Sequence, residues 1–403
     1  MTGDLSNTIE LFPPKQMATQ QFTPRPYQVE AIEKAIEFFK SGKQENAIEI
    51  LPTGSGKSVV IANIGMGLEG KTIVFQPSKE ILDQNVRKFR SYGYRCGVYS
   101  ASAGKKVIDK ITFATIGSVA SKHHLFRDIK NIIIDECHLV NAQGGMYHDF
   151  IKAIHGAKVL GLTATPYRLA SGAEGAELRF LTRTRPRIFN KVLYFIQNSV
   201  LFDAGHLAKL EYFTKDVIER SLLTMNSSGT DFTDSSLKAY YRKINMPKIT
   251  IDFANRLLGK KKNLLVFCAL VDEANNISLG VPGSVVLTGE TPAGERERIL
   301  SQFKAGIIRC VINVGVLTTG FDYPELECIL MARSTMSLAL YYQILGRGMR
   351  PHPDKTSCWI VDLGGNYKFF GKIETMEIKQ TSTGLFYIAN NGRQLTNIPF
   401  TKN

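Results

Sequence analysis

Within one short stretch, Thr53-Gly54-Ser55-Gly56-Lys57-Ser58, stand the groups that hold a phosphate. The stretch follows an apolar run, Ala47 to Leu51, that reads as a buried strand. It precedes Val59-Val60-Ile61-Ala62, which reads as the start of a helix. Glycines there let backbone N–H groups turn inward on phosphate oxygens, and the helix N-terminus adds partial positive charge. Lys57 is placed to reach the β- and γ-phosphates of a nucleotide, and the Ser58 hydroxyl suits Mg²⁺. The general pattern has glycine where Leu51 stands. A second constellation is Ile132-Ile133-Ile134-Asp135-Glu136-Cys137-His138, an apolar strand ending in two carboxylates. Asp135 suits Mg²⁺ held beside Ser58, and Glu136 suits the orientation and deprotonation of an attacking water. An isolated Asp-Glu is often only a solvated strand end; the loop at Lys57 gives this one a phosphate to act on.

The elements that must position these groups alternate. A helix with Ile32, Ala35, Ile36 and Phe39 on one face precedes the loop. Lys71–Pro77 reads as a strand, and Ser78 caps a helix carrying Ile81, Leu82, Val86 and Phe89. Further strands are predicted at Val98–Ser100, Ile111–Thr115, Ile132–Asp135 and Val159–Thr163. From Tyr167 to Met246 the pattern loosens around Arg179, Arg183, Arg185, Arg187 and Lys191. A second series then runs through strands Asn263–Ala269, Ser284–Thr288, Ile307–Val314, Cys328–Ala332 and Cys358–Val361, with intervening helices. Strands alternating with helices mean parallel sheets covered on both faces. Leu385–Ile388 and Gln394–Ile398, around Asn390-Asn391-Gly392, predict a terminal hairpin.

Composition sets bounds. The 403 residues suffice for two or three full cores, and 44% hydrophobic with 21% charged residues is ordinary for a globular chain. No apolar run is long enough to span a membrane. The polar start, Met1 to Gln21, lacks a secretory core, so a cytoplasmic location is expected. Six scattered cysteines without a C-x-x-C pair read as buried thiols. A net charge of +14 suits a polyanionic partner.

Leu51–Ser58, Asp135–His138, Leu162-Thr163-Ala164-Thr165-Pro166, Val316–Pro324 and Tyr342–Arg350 resemble, in this order, the motifs of superfamily 2 helicases. Phe22–Gln28 resembles their adenine-reading stretch. The likeness extends to the DEAD/DEAH-like and type III restriction group, with RadD-like bacterial and phage helicases nearest, and covers about residues 22–365. Helicases of this superfamily commonly lack the first loop glycine. RadD-like proteins continue into a cysteine-rich region, which has no counterpart after Cys358.

The resemblance implies an α/β fold of two tandem RecA-like domains, at 22–200 and 245–370, joined by a 201–244 connection. A tail over 1–21 and a hairpin extension over 371–403 complete the expected plan. It implies ATP and Mg²⁺ as cofactors, with Arg25 and Gln28 at the adenine and Gly320 and Asp322 at the ribose. It further implies Gln343, Arg347 and Arg350 as catalytic groups beside Glu136, the two arginines acting as fingers. His138, Thr163 and Thr165 would couple ATP state to domain movement. Ser78, Lys79, Thr115, Thr288 and Thr318 match backbone-gripping positions, so little sequence specificity is expected. Arg183, Arg185 and Arg187 belong either to an accessory nucleic-acid surface or to a solvated loop. The expected activity is an ATP-dependent helicase or translocase on DNA, acting in repair, recombination or replication, with partners in those processes and as a monomer. An RNA helicase and a nucleic-acid-binding module without turnover are the rivals. A small-molecule kinase would leave Gln343–Arg350 unexplained.

Overall fold

A computed structural model describes residues 23–399 apart from 44, 173, 174, 228 and 319. The predicted tail lies outside the described residues.

The first unit contributes β1 (Ala47–Ile50), β2 (Lys71–Phe75), β3 (Gly97–Ser100), β4 (Lys105–Lys106), β5 (Ile111–Ala114), β6 (Ile129–Asp135) and β7 (Lys158–Thr163). A hairpin follows, β8 (Tyr167–Gly172) with β9 (Gly175–Phe180), and then β10 (Lys191–Phe195). The main sheet has the order β10-β1-β7-β6-β2-β5-β3-β4. It is parallel except where β4 turns back on β3. Strands buried on both faces read as continuous apolar runs, as Ile132-Ile133-Ile134 does, with each isoleucine fully covered. The second unit contributes β11 (Lys209–Thr214), β12 (Leu264–Cys268), β13 (Ser284–Leu287), β14 (Cys310–Asn313), β15 (Cys328–Ala332) and β16 (Ser357–Asp362). These strands form a parallel sheet ordered β11-β16-β15-β12-β14-β13.

One boundary is corrected. The 201–244 segment is more than a connection: β11 within it pairs along its whole length with β16, so the second unit begins near Lys209 and not at 245. The loose stretch also hides β8, β9 and β10. The terminal hairpin is present between β18 (Phe386–Asn390) and β19 (Arg393–Gln394), and β17 (Met376–Gln380) adds a third strand. Asn391 and Gly392 both have positive φ, as a tight two-residue turn between antiparallel strands requires.

The two units share one buried apolar cluster. The Leu338–Gly348 helix of the second unit adds Tyr341, Tyr342, Ile344 and Leu345 to it, all covered. Polar bonds fix the seam: Tyr342 Oη donates to Asn198 Oδ1 at 2.7 Å, and Asn198 Nδ2 donates to the Ile373 carbonyl. Thr53 meets Gly346 so closely that a Cβ there would lie 2.7 Å from Thr53 Cγ2; only glycine admits that approach. The six cysteines are buried free thiols.

Candidate nucleotide site between two sheets

In the first sheet β7 lies between β1 and β6, so three strand ends converge. The phosphate loop leaves β1, Thr163 ends β7, and Asp135 ends β6. Ligands in open parallel sheets bind at such carboxyl ends. The loop is shaped by Gly54 and Gly56, at φ +85° and +81°, a region other residues enter only under strain. Gln28 braces it from below. Its Nε2 donates to the Ser55 carbonyl at 2.7 Å, its Oε1 accepts from the Arg25 amide at 2.8 Å, and the side chain is buried. The Tyr27 hydroxyl donates to the same carbonyl. Ser55 Oγ is buried without a partner among the described residues.

Lys57 Nζ lies 3.3 Å from Glu136 Oε1, and Glu136 Oε2 lies 3.3 Å from His138 Nδ1. Glu136 takes φ +53°, a left-handed conformation rare for a non-glycine residue, which turns its carboxylate out of the strand line toward the loop. Burial pushes the Glu136 carboxyl up, but Lys57 and His138 outweigh it and hold the group below the usual carboxylate range. Asp135 moves the opposite way: burial and then the Glu136 charge raise it. The pair is thus split, with the proton held back on Asp135 and the charge kept on Glu136.

His138 is the hub. Nδ1 lies 2.9 Å from Thr163 Oγ1 and 3.1 Å from Thr165 Oγ1. On its other side, Nε2 lies 3.4 Å from the Gln343 Nε2 of the second unit. With the Gln343 amide as donor, His138 Nε2 accepts, which assigns the proton to Nδ1.

Ser58 Oγ donates to Asn85 Oδ1 at 2.7 Å, and Asn85 Nδ2 reaches Gln76 Oε1 at 2.8 Å and Asp135 Oδ2 at 3.5 Å. Ser58 and Asp135, on the two sides of the buried Asn85 amide, are hard oxygen donors. Among the described residues, Asp135 Oδ1 accepts only the Glu136 amide, at 3.0 Å. A buried carboxylate with that little support fits Mg²⁺, and these two residues would hold it. Sequence reasoning missed Asn85 and Gln76. The signal was an asparagine on the apolar stripe of Lys79–Ser91, where Leu82, Val86 and Phe89 are buried with it.

From the second unit, Arg347 Nη1 donates to the Phe321 carbonyl at 2.7 Å, and Arg350 Nη1 donates to the same carbonyl at 3.0 Å and pairs with Asp322. Burial lowers the Arg347 guanidinium to about 9, with Arg350 adding to the drop and Glu136 opposing it. Both arginines are therefore held by their own unit, and Asp322 is engaged by Arg350. Gly320 sits against the first turn of Lys79–Ser91: its carbonyl accepts from Gln84 Nε2 at 2.9 Å, and its neighbours are Ser78, Glu80 and Ile81. That is a contact between the units.

The candidate strand-gripping residues all follow carboxyl ends of parallel strands: Ser78 and Lys79 after β2, Thr115 after β5, Thr288 after β13 and Thr318 after β14. Lys79 is exposed. Ser78 Oγ accepts from the Ile81 amide as a helix cap, Thr115 Oγ1 bonds Ser100 and Ser118, and Thr288 Oγ1 accepts from the Glu290 amide. Arg185 and Arg187 are exposed and Arg183 is half-buried.

Residues 21–168 match the family described as "Type III restriction enzyme, res subunit", and residues 249–352 match "Helicase conserved C-terminal domain". The chain is 27% identical over 373 residues to Saccharomyces cerevisiae IRC3, named as an ATP-dependent helicase, covering 85% of this chain and 51% of that protein. To the Sulfurisphaera tokodaii DNA 3'-5' translocase XPB2 it is 24% identical over 360 residues, covering 81% and 78%. It thus spans about half the length of the yeast relative. Among solved structures, an HsdR-subunit fragment of a type I restriction enzyme from Vibrio vulnificus superposes with TM-score 0.65 at 22% identity, covering 87% of this chain and 66% of that one. Saccharomyces cerevisiae Dbp5 bound to RNA and ADP BeF3 gives TM-score 0.55 at 15% identity, covering 84% and 83%. These two share the fold.

Proposed function

Because this chain belongs to the superfamily 2 helicases, we propose that it hydrolyses ATP in the cleft between its two units and uses the cycle to move along DNA. The observation that carries this reading is the continuous path Lys57–Glu136–His138–Gln343, in which the hydrolytic carboxylate of one unit is wired to a helix of the other. Lys57 and Glu136 neutralise each other here. An incoming γ-phosphate competes for Lys57, and as the lysine turns to it, the Glu136 carboxylate loses its nearest cation and becomes a stronger base for the attacking water. A Mg²⁺ held by Ser58 and Asp135 would neutralise charge on the β- and γ-phosphates. Closure requires Arg347 and Arg350 to exchange the Phe321 carbonyl and Asp322 for phosphate oxygens, where a guanidinium stabilises the charge spread over the transferring group. Gln28 and Arg25 would receive the base. His138, Thr163 and Thr165 register through Gln343 whether the second unit has closed.

DNA is favoured over RNA as the track because the XPB2 relative is named as a DNA translocase. We extend the same reading to a monomeric, cytoplasmic protein that works with repair or replication partners. Glu136→Gln should keep ATP binding while turnover falls by about 10²- to 10⁴-fold, the range for a general base. Nucleotide binding and phosphate release, measured with single-stranded DNA, duplex, branched DNA and RNA, test both parts. Near-normal hydrolysis by Glu136→Gln would sink the site, and stimulation by RNA alone would sink the track.

A further inference from the structure

Three arginines line one cavity beside the β8–β9 hairpin. Arg168 on β8 and Arg179 on β9 are directly opposed across the hairpin. Arg185 joins them around a hollow of about 310 Å³ that is also lined by Gln143, Thr184 and Thr230. Like charges directly opposite each other in a sheet are destabilising unless something neutralises them. Glu177 does so for Arg179, accepting from its Nε at 2.7 Å. Among the described residues no acid pairs with Arg168 or Arg185, and Arg168 Nη1 is buried with no hydrogen-bond partner. Arg185 spends one N–H on the Thr184 carbonyl. Burial lowers the Arg168 guanidinium from its usual range, the cost of a cation kept out of water without a counterion. A guanidinium is a planar fork of donors, and one that lines a polar hollow without a counterion suits an oxyanion.

The hollow also has walls from both units. Gln143 follows the strand end that carries Glu136 and His138, while Thr230 belongs to the second unit, between β11 and β12. The neighbour of Thr230, Asp231, accepts from Thr335 Oγ1 at 2.8 Å and from the Met336 amide at 2.9 Å. Those residues immediately precede the Leu338–Gly348 helix, which bears Gln343 and Arg347. The far wall is therefore fixed to the helix that bears Arg347.

We propose that this hollow is a phosphate site that takes one backbone phosphate of the nucleic-acid strand, with Arg168 and Arg185 as its donors. The proposal rests on the nucleic-acid motor reading and adds to it a contact outside the motif residues. A phosphate seated there touches the hairpin of the first unit and the wall tied to the arginine helix of the second. Strand binding then favours one relative placement of the units.

The test uses the full chain with Arg168→Gln and the charge-keeping Arg168→Lys, a thymidine oligonucleotide, and inorganic phosphate. The log–log salt slope of oligonucleotide binding should become shallower by about 0.7 in Arg168→Gln, the single-strand value for one lost phosphate contact. It should hold in Arg168→Lys, and hydrolysis without nucleic acid should be unchanged in both. Inorganic phosphate should raise the unfolding temperature of the parent by more than that of Arg168→Gln, since the Thr53–Ser58 loop is common to both and only the difference reads the hollow. A phosphate effect without a slope change would overturn the strand assignment in favour of a free phosphate, and neither effect would overturn the site altogether. Should the parent bind no nucleic acid, the motor reading fails while the phosphate arm still decides the hollow. Arg185→Gln, at an exposed loop position, repeats the series if Arg168→Gln does not fold.

Discussion

Each of the two sheets buries a glutamate just beyond a strand end, and the two are treated in opposite ways. Glu136, beyond β6, has Lys57 and His138 within 3.3 Å and stays charged. Glu273, beyond β12, is 5% exposed, and neither of its carboxylate oxygens has a partner among the described residues. Burial pushes it up to about 8, with Arg333 pulling only weakly the other way. A third buried acid, Glu49 on β1, is likewise unpartnered although it belongs to the first sheet. Among these three glutamates partnership therefore follows the cleft and not the unit. Glu136, which must work, is given a cation and a donor; Glu273 and Glu49 are left to hold their protons. The second unit brings charge of the other sign to the cleft, as Arg347 and Arg350.

The comparison breaks most visibly if the arginines are idle. Arg350→Ala should leave nucleotide affinity broadly intact and lower hydrolysis by about a thousandfold or more, the range for an arginine acting across a cleft. The variant also frees Asp322, so binding and single-turnover hydrolysis need to be measured together. An unchanged rate would confine the chemistry to the first sheet.

A smaller effect is expected from the amide bridge. Asn85→Ala removes the link among Ser58, Gln76 and Asp135 without touching Glu136. The Mg²⁺ concentration for half-maximal hydrolysis should rise about 10- to 100-fold, as for groups that orient metal ligands. A normal Mg²⁺ requirement would show that Ser58 and Asp135 are placed by the backbone alone.

What the sequence disclosed follows the range of the forces involved. Local patterns were legible: the phosphate loop between β1 and its helix, the Ser78 cap, the Asn391-Gly392 turn, and the apolar runs of both sheets. Groups whose role depends on distant pairing were not. β11, Lys-Leu-Glu-Tyr-Phe-Thr, falls within the expected 201–244 connection and becomes an edge strand only through β16, far along the chain. β10 is an edge strand of the same kind, set by β1. Asn85 and Asn198 look like ordinary helix asparagines until the fold brings Ser58 to one and Tyr342 to the other. The bond from Gln84 to the Gly320 carbonyl is of the same kind: a contact between units is not written in the spacing of either.

The smallest effect bears on the unpartnered acid. A carboxyl raised from its usual 4.5 to about 8 binds its proton more tightly in the folded chain than in the unfolded one. Its contribution to stability is therefore fully present below about pH 4.5, declines as pH rises, and is gone above about pH 8. The ceiling on that loss is about 5 kcal/mol, and relaxation around the buried charge reduces it. Glu273→Gln keeps the shape and removes the titration. Relative to the parent, it should be close in stability near pH 5 and more stable near pH 9, read as the difference in urea midpoints between the two proteins at each pH. Taking the difference cancels the histidines and the cleft carboxylates, which both proteins share. If the difference does not change with pH, Glu273 is ionised throughout and paired with Arg333, and the contrast with Glu136 is one of partner and not of charge.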